Sequence, residues 1–412
     1  MTQVLNHPQT TSAPQGASGF SIALLAVAAF VIVTTEFLII GLLPALARDM
    51  HISIPVAGQL VTLFAFTVML FGPPLTAALA HIERKRLFIF IMVVFAASNA
   101  LAAMAPNIWI LSLARFIPAL LLPVFWGTAS ETASQLVGPE RAGRAVSQVY
   151  LGIAAATLFG IPLGTVAANM IGWRGAFWGL AVLSLVMTVL LAVFMPRLAR
   201  PQRTGFLKQL SILGDRRFVA NVILSVVVFT AMFTAYTYLA DLLERLAGIE
   251  PVAVGWWLMG FGAIGLLGNW LGGHFVDRNP LGATAVFVLI LGIGMAITIP
   301  LASSYLWLAV ALTVWGIAYT ALYPVCQVRV MKAATHAQAL AGTLNVSAAN
   351  AGIGLGAIIG GYSIELGGLA SIGYVAAGIA LLAVLMALAM GRSKHVPLTP
   401  RSVIESQRTF SQ

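Results

Sequence analysis

Charged residues are scarce in this sequence: Asp, Glu, Lys and Arg make up 8% of its 412 residues, whereas 60% are hydrophobic. The mean hydropathy is +0.97. Soluble globular domains carry about 25% charged residues, because their surfaces must be solvated. The composition therefore excludes a soluble domain and predicts an integral membrane protein.

Cysteine and enzyme motifs are also missing. The single cysteine, Cys326, excludes an intrachain disulfide and a cysteine-based metal cluster. No Gly-Lys dipeptide occurs, so there is no Walker A loop for ATP, and neither HExxH nor GxSxG is present. We therefore expect no enzymatic activity, no metal and no cofactor. A membrane enzyme, a passive channel and a receptor are the other classes considered, and they explain the embedded charges described below less well than a carrier does.

Long apolar runs predict twelve membrane-spanning helices, because a crossing needs about twenty apolar residues. The predicted spans cover approximately residues 20–46, 54–80, 87–105, 108–136, 143–170, 174–195, 218–244, 252–275, 281–301, 305–330, 338–364 and 370–391. Residues 1–18 lack the basic start of a signal peptide and are expected to form a disordered tail. The first span is therefore expected to be retained.

The basic residues predict the orientation in the membrane. If the spans alternate, 18 of the 22 Lys and Arg fall on the side of the N-terminus, one (Arg115) lies within a span, and three lie on the opposite side: Arg48, Arg174 and Arg245. Basic residues concentrate on the cytoplasmic side of membrane proteins. We therefore expect a multi-pass protein of a bacterial-type inner membrane with both termini cytoplasmic. Its net charge of +10 then reflects this bias and not a nucleic-acid partner.

The chain divides into two related halves. The longest basic connection, residues 196–217, separates six spans from six. Gly160 and Gly164 in the fifth span recur 196 residues later as Gly356 and Gly360 in the eleventh. The expected organisation is a cytoplasmic tail (1–18), a six-helix bundle (19–195), a cytoplasmic linker (196–217), a second six-helix bundle (218–391) and a cytoplasmic tail (392–412). Two pseudo-symmetric bundles are typical of transporters that rock about a central site.

Several motifs resemble the major facilitator superfamily over essentially the whole chain. The loop after the second span resembles its G-x-L-A-D-R-x-G-R-K motif in degraded form, keeping the basic pair Lys85 and Arg86, and the second half keeps the acidic and basic pair Asp277 and Arg278. Gly152 followed by GIPLG at 160–164, which includes Pro162, resembles the fifth-span motif of exporters. TTEF at 34–37 is similar to the first span of twelve-span drug:proton antiporters, and ERKRL together with GIPLG is similar to sugar-efflux and arabinose-efflux permeases. The resemblance implies an all-α major facilitator fold and export of a solute.

Glu36 and Arg115 are the two charges expected deep within the spans of the first half. A carboxylate at membrane depth costs on the order of 3 kcal/mol, so it should have a partner or a proton. Burial and a neighbouring guanidinium act in opposite senses on a carboxyl group, so Glu36 is expected to exchange a proton in the physiological range. The alternative is a permanent salt bridge between the first and fourth spans. The resemblance, in which the fourth-span Arg is tied to proton coupling, favours the functional reading.

Aromatic and amide side chains are the candidate substrate contacts. Tyr319 and Tyr323 share a helix face with Trp315, and Phe229, Phe233 and Tyr236 form a similar stripe in the seventh span. The spans that line the cavity in the family are the first, fourth, seventh and tenth. The expected substrate contacts are Phe37, Trp126, Tyr236, Tyr238, Trp315, Tyr319, Tyr323, Asn345 and Asn350. The alternatives are core or lipid-facing packing for the aromatic residues and helix joining for the asparagines.

The loops and glycines provide candidate gate and hinge positions. Glu131 is expected near the basic run Arg84, Lys85 and Arg86, where an ion pair would hold one state of the bundle; Asp277 and Arg278 are the corresponding pair in the second half. The alternative for Glu131 is an ordinary interfacial charge. The expected hinge or packing positions are Gly152, Gly160, Pro162, Gly164, Gly356 and Gly360. The acids Asp241, Glu244 and Glu250 are expected only to form a solvated face.

These features predict a proton-coupled transporter, expected as a monomer, that exports a small neutral or weakly polar solute, sugar or sugar-like. The alternative is efflux of drugs, toxic metabolites or nucleosides. A neutral solute is expected because Glu36 and Arg115 can neutralise each other and because the spans of the second half show no other deeply placed base. Its substrate, protons and the lipid bilayer are the expected partners.

Overall fold

All regular structure in the described part of the chain is helical. The computed structural model describes residues 15–79, 81–137, 142–197, 213–276, 278–334 and 338–392. The first four spans are the helices Gln15–Asp49, Ile54–Leu79, Arg84–Ala103 and Ile108–Val137. The fifth and sixth spans form one stretch made of Ala142–Ala155, the π-helical turn Ala156–Gly160 and Ile161–Phe194. The first helix includes residues 15–18, which the sequence assigned to the disordered tail.

The second half continues this pattern. Its first helix, Arg216–Tyr236, is extended by the short helix Leu239–Asp241 and the π-helical turn Leu242–Leu246. The remaining spans are Pro251–Val276, Pro280–Leu301, Tyr305–Lys332, Gln338–Gly367 and Ser371–Arg392. Their lengths are those of helices that cross a bilayer.

The number of spans follows from one glycine. By length and composition, eleven helical stretches in the described residues can cross a membrane. The longest, Gln148–Phe194, has 47 residues, about twice what one crossing needs. Within it, Gly172 has φ 79° and ψ 156°, a non-helical conformation that glycine adopts without steric cost. The stretch is therefore kinked into two spans, and the predicted all-helical fold with twelve spans is confirmed.

The loops alternate between two ends of the molecule. We call the linker end the one that carries residues 81–83, 195–197, 213–215 and 278–279. The far end carries residues 50–53, 104–107, 247–250, 302–304 and 368–370. At the linker end, Glu83 and Asp215 accept hydrogen bonds from main-chain N–H groups of the next helix and so mark its start.

Helix contacts repeat between the halves at an offset of 196 residues. Gly160 in the fifth span lies against Thr34 in the first, and Gly356 in the eleventh lies against Thr230 in the seventh. A Cβ on Gly356 would come within 2.8 Å of the Thr230 carbonyl oxygen, so only glycine allows this approach. The same offset relates Gly164 with Leu38 to Gly360 with Thr234. Gly152 and Pro162 are also buried, and Gly152 packs on the first span.

The apolar core shows how the halves meet. Towards the far end, one continuous cluster contains residues of both halves, such as Leu42 of the first span and Leu242 after the seventh. Towards the linker end there are two separate clusters: one includes Phe88 and Phe125 of the first half, and the other includes Phe218 of the second. In the described residues, the two halves therefore share one apolar core towards the far end, and each half has its own apolar cluster towards the linker end.

Candidate functional site

Polar contacts close the far end. Arg48 of the first span forms an ion pair with Glu244, which follows the seventh span. Asn169 Nδ2 donates a hydrogen bond to the carbonyl of Pro251 at 2.7 Å, from the fifth span to the eighth. These contacts join the halves at the far end, on the far side of Glu36.

Tyr238 belongs to this closure and not to the expected substrate contacts. It is 0% exposed, its hydroxyl donates to the Ala357 carbonyl at 2.7 Å, and its ring lies against Gly58 of the other half. The physical reason is its register: Tyr238 follows Tyr236 by two residues across a turn, which directs it away from the Tyr236 face. In this structure Tyr238 therefore belongs to the closure between the halves, and its role as a substrate contact stays a prediction.

Arg115 binds the main chain of the first span. It is 1% exposed and donates hydrogen bonds to the carbonyl oxygens of Thr35 and Glu36, the latter at 2.6 Å. Its guanidinium also lies 4.5 Å from the ring centroid of Phe64. Asn99 of the third span supports the same turn by donating to the Thr35 hydroxyl at 3.1 Å. Three spans thus fix the backbone that carries Glu36.

The Glu36 carboxylate is not in a salt bridge with Arg115. Among the described residues it has no ion pair within 4.0 Å, because the guanidinium nitrogens are directed to main-chain carbonyls. Glu36 is half-buried and interacts electrostatically with Arg115 and with the hydroxyls of Tyr319 and Tyr323 in the second half. The alternative, a permanent salt bridge between Glu36 and Arg115, is therefore not seen in the described residues, and the Glu36 carboxyl group lies close enough to the tyrosines of the other half to interact with them electrostatically.

An aromatic cluster lies opposite Glu36. Tyr236 and Tyr319 have ring centroids 4.4 Å apart, and the hydroxyls of Tyr319 and Tyr323 are 3.1 Å apart. Phe37, beside Glu36, reaches this cluster through Phe233 at 6.0 Å. The seventh and tenth spans thus present tyrosine rings and hydroxyls to the first span, as the sequence pattern indicated.

Two tryptophans lie outside this cluster. Trp315 is 0% exposed and packs behind it against Phe261 and the ninth-span Gly294. The missing side chain at Gly294 lets the tenth span pack this face into the core, and the role of Trp315 as a substrate contact stays a prediction. Trp126 pairs with Tyr150 at 5.1 Å in the linker-end core of the first half, and the structure does not bring it to Glu36.

Asn345 joins helices in a buried polar network centred on Arg329, which sequence reasoning missed. Arg329 is 3% exposed and donates to Ser225, Thr284 and the Asn221 carbonyl at 2.7, 3.0 and 3.1 Å. Ser225 donates to Asn345 Oδ1 at 2.8 Å, and Asn345 donates to Gln327 at 2.7 Å. Both ends of the Asn345 amide thus bond protein partners, which is the helix-joining alternative, and its role as a substrate contact stays a prediction.

The missed base has a simple explanation. Arg329 lies three residues before the end of the tenth span, so the sequence counted it with the cytoplasmic segments. The expectation concerned a base deep within a span, so it did not take account of a buried base close to a helix end. The equivalent first-half positions, 196 residues earlier, are Ala29, Ala133 and Val149 for Ser225, Arg329 and Asn345, and all three are core residues. The fold itself does not require a polar network there.

Asn350 stays a candidate contact. It is 5% exposed, its amide nitrogen donates to the Val346 carbonyl at 3.0 Å, and its Oδ1 atom is buried without a hydrogen-bond partner in the described residues. It lies one turn from Gly354, which faces Phe66 of the first half. Its side chain is thus on the face of the eleventh span that meets the other bundle.

The structure describes all the predicted gate residues at the linker end except Asp277. Arg84 and Glu131 form an ion pair at 2.6 Å between the third and fourth spans, so this contact is within one half. Lys85 and Arg86 follow in the same first turn, Arg278 is exposed, and Asp277 lies outside the described residues. A gating role for these residues stays a prediction.

Comparison with known proteins gives the family and the fold. A model described as Major Facilitator Superfamily matches residues 25–349 and, separately, 248–412. The inner membrane transport protein YdhP of Escherichia coli K12 is 36% identical over 366 residues, covering 88% of this chain and 94% of that protein. The uncharacterized MFS-type transporter YtbD of Bacillus subtilis 168 is 32% identical over 345 residues, covering 82% and 86%.

Solved structures share the architecture at low identity. A bacterial homologue of the human lysosomal transporter Spinster, inward-facing and unoccupied, has a TM-score of 0.76 at 15% identity and covers 92% of this chain and 98% of that one. A mutant of the nucleoside transporter NupG has a TM-score of 0.73 at 13% identity, covering 90% and 99%. At these identities the likeness concerns the fold alone.

Proposed function

The chain belongs to the major facilitator superfamily, and we propose that it is a proton-coupled secondary transporter exporting a small neutral or weakly polar organic solute, sugar or sugar-like, by alternating access. In this proposal, residues 19–195 and 218–391 move as two bundles joined by the cytoplasmic linker 196–217. Both termini and the linker end are cytoplasmic. The described state is then open to the cytoplasm and closed at the far end.

The Glu36 carboxyl group carries this proposal. It is held by a rigid backbone, has no salt-bridge partner among the described residues, and faces the tyrosines of the other half. A carboxyl group at an interface that opens alternately to the two sides can bind a proton on one side and release it on the other. Arg115 fixes the turn and adds positive charge nearby without permanently occupying the acid.

A solute without strong charge suits this lining. The nitrogens Nη1 and Nη2 of Arg115 and of Arg329 are bonded to protein oxygens, and both side chains are almost fully buried, so the protein already compensates much of their charge. Tyr236, Tyr319 and Tyr323 offer apolar faces with hydroxyl edges, which match a sugar ring. When Glu36 carries a proton, this lining is neutral.

A planar aromatic drug or a nucleoside is the second candidate. The stacked rings of Tyr236 and Phe261, 5.7 Å apart, would accept a heterocycle as readily as a sugar face. A lining of this kind discriminates by only about 1–3 kcal/mol between similar apolar shapes. Overlapping substrates are therefore expected in either case.

Transport by the purified protein in proteoliposomes tests the proposal. With a lumen about one pH unit more acidic than the medium, a panel of sugars, nucleosides and cationic dyes is offered from outside. We expect saturable uptake that stops when the pH gradient is collapsed by an ionophore. Uptake of no panel member, or uptake that ignores the gradient, would contradict proton-coupled export; saturable uptake of a sugar phosphate would contradict the neutral-solute assignment.

The orientation is tested separately in cells. In a Cys326→Ala background, a cysteine at Ser303 should react with a membrane-impermeant maleimide added outside, and a cysteine at Leu213 should not. Both positions are exposed, at the far end and the linker end respectively. The reverse pattern would place the linker end outside.

A further inference from the structure

Asp241 is a second acid buried within the membrane domain, where the sequence indicated a solvated face. It ends the short helix Leu239–Asp241 and is 0% exposed. Its Oδ2 atom is 3.4 Å from Arg245, a long contact to a side chain that is itself 59% exposed. Its Oδ1 atom has no hydrogen-bond partner in the described residues. The carboxyl group is thus only partly compensated.

Its position is the contact between the halves at the far end. The short helix that carries Asp241 packs against the first span of the other half. The charged groups that act on Asp241 are Arg245 and Glu244 from its own segment and Arg48 from the first span. One layer further, Glu365 acts on Tyr238, whose hydroxyl is bonded within the same closure.

The internal repeat shows that the fold does not need an acid here. The residue 196 positions before Asp241 is Ala45, an uncharged residue of the first span. The charged residues that follow have opposite signs in the two repeats: Arg48 and Asp49 in the first half correspond to Glu244 and Arg245 in the second. Arg48 and Glu244 are therefore equivalent positions of opposite charge that attract each other across the halves. Asp241 is an addition to this arrangement.

We propose that Asp241 is a proton-sensing residue of the far-end gate, which binds a proton from the far side while the halves are apart there and keeps it when they close. This rests on the proposed alternating access. Closure moves the carboxyl group from water into a contact where its charged form has one weak partner, and burial disfavours an ionised carboxyl far more than a neutral one. Proton binding and closure therefore favour each other reciprocally.

The role of Asp241 differs from that of Glu36. Because Asp241 is fully buried in the state that is closed at the far end, its proton returns to the far side when the gate reopens. It therefore changes the balance between the two states without adding to the protons transported. An acidic far side would bias the transporter towards closure at that side, with a change in the closed-to-open ratio of at most roughly tenfold per pH unit for one proton.

Distances across the far end test this without any substrate. Spin labels are placed at Met104 and Ser303, two exposed far-end residues in opposite halves, in a Cys326→Ala background. Electron–electron distance distributions are recorded in lipid nanodiscs between pH 8.5 and 5.5. All samples carry Glu36→Gln, so the site proposed to carry the transported proton cannot bind one.

We expect the short, closed distance to gain population as the pH falls in Glu36→Gln. The added change Asp241→Asn, which mimics the protonated acid, should give a mostly closed gate at every pH. Asp241→Ala, which copies the first-half residue, should also remove the pH dependence, and Glu250→Gln, at an exposed acid nearby, should leave it intact. Two results would overturn the proposal: a closed population that still depends on pH in both Asp241 variants, or one that does not depend on pH in the protein carrying Glu36→Gln alone. Absence of proton-driven transport in the wild-type protein, together with an intact gate response in Glu36→Gln, would instead refute the proposed function only.

Discussion

Replacing Glu36 by Gln should separate proton coupling from solute movement. The amide is nearly isosteric with the carboxyl group but cannot take up or release a proton in the physiological range. Arg115 holds the main chain at Thr35 and Glu36 and makes no salt bridge to the side chain, so the turn should persist in the variant. We therefore expect a folded protein that still binds its solute and still alternates between states.

The expected magnitude follows from one proton. Glu36 is the carboxyl group that the described structure directs to the aromatic cluster, so one proton should move per solute. One pH unit is worth about 1.36 kcal/mol for one proton, which supports about tenfold accumulation of a neutral solute. The Glu36→Gln protein should reach a ratio of about one, since equilibration without coupling supports none.

The assay uses proteoliposomes with an acidic lumen and a solute that the wild type transports. Steady-state accumulation reports coupling, and exchange of labelled for unlabelled solute at equal pH reports solute movement. We expect accumulation to be lost and exchange to persist in Glu36→Gln, with both retained in Glu250→Gln, a change at an exposed acid. Accumulation near tenfold in Glu36→Gln would refute the role assigned to this carboxyl group.

Three further predictions follow from the contacts. Arg115→Lys should slow transport at least tenfold and lower the melting temperature, because an ammonium group does not reproduce the planar guanidinium that binds two carbonyls. Each hydrogen bond from a charged donor contributes about 1.5–3 kcal/mol. Transport rates and thermal unfolding are the measurements. Arg48→Glu and Glu244→Arg should each increase the maleimide labelling of a cysteine at the far end, because each breaks the ion pair between the halves. The double variant, which restores the pair with the charges exchanged, should return labelling to the wild-type level, and additive effects would argue against a role of the pair in closure. Tyr319→Ala should raise the KM several-fold while Trp126→Ala leaves it unchanged, because Tyr319 faces Glu36 and Trp126 does not; equal KM changes would contradict this placement.

Hydropathy predicted the fold well because a bilayer imposes a length on every span. The spans at Arg84–Ala103 and Pro280–Leu301 lie within three residues of their expected bounds. The merging of the fifth and sixth spans into one stretch was not visible, because a kink at Gly172 depends on its φ and ψ and not on composition. The glycine spacing indicated the repeat because small residues mark close helix contacts.

The site was predicted less completely, because helix rotation is not encoded in spacing alone. Charge balance indicated that Glu36 and Arg115 are neighbours, but it did not show that the guanidinium binds the backbone. The burial of Tyr238 and Asp241 was not predicted, because the turn at Thr237 and the π-helical turn after Asp241 direct both side chains into the core. Arg329 was missed because a base near a helix end resembles a loop charge in the sequence.

The internal repeat also shows that the two halves carry different site residues. The positions equivalent to Glu36 and Arg115 in the second half, 196 residues on, are Met232 and Ala311, so the ionisable pair belongs to the first half alone. The positions equivalent to Tyr236, Tyr319 and Tyr323 in the first half are Ile40, Pro123 and Gly127, so the tyrosine cluster belongs to the second. Proton and solute would then bind on different halves and meet only at the interface between them. Because that interface is what changes when the halves rock, the coupling of proton to solute requires no contact that persists through the cycle.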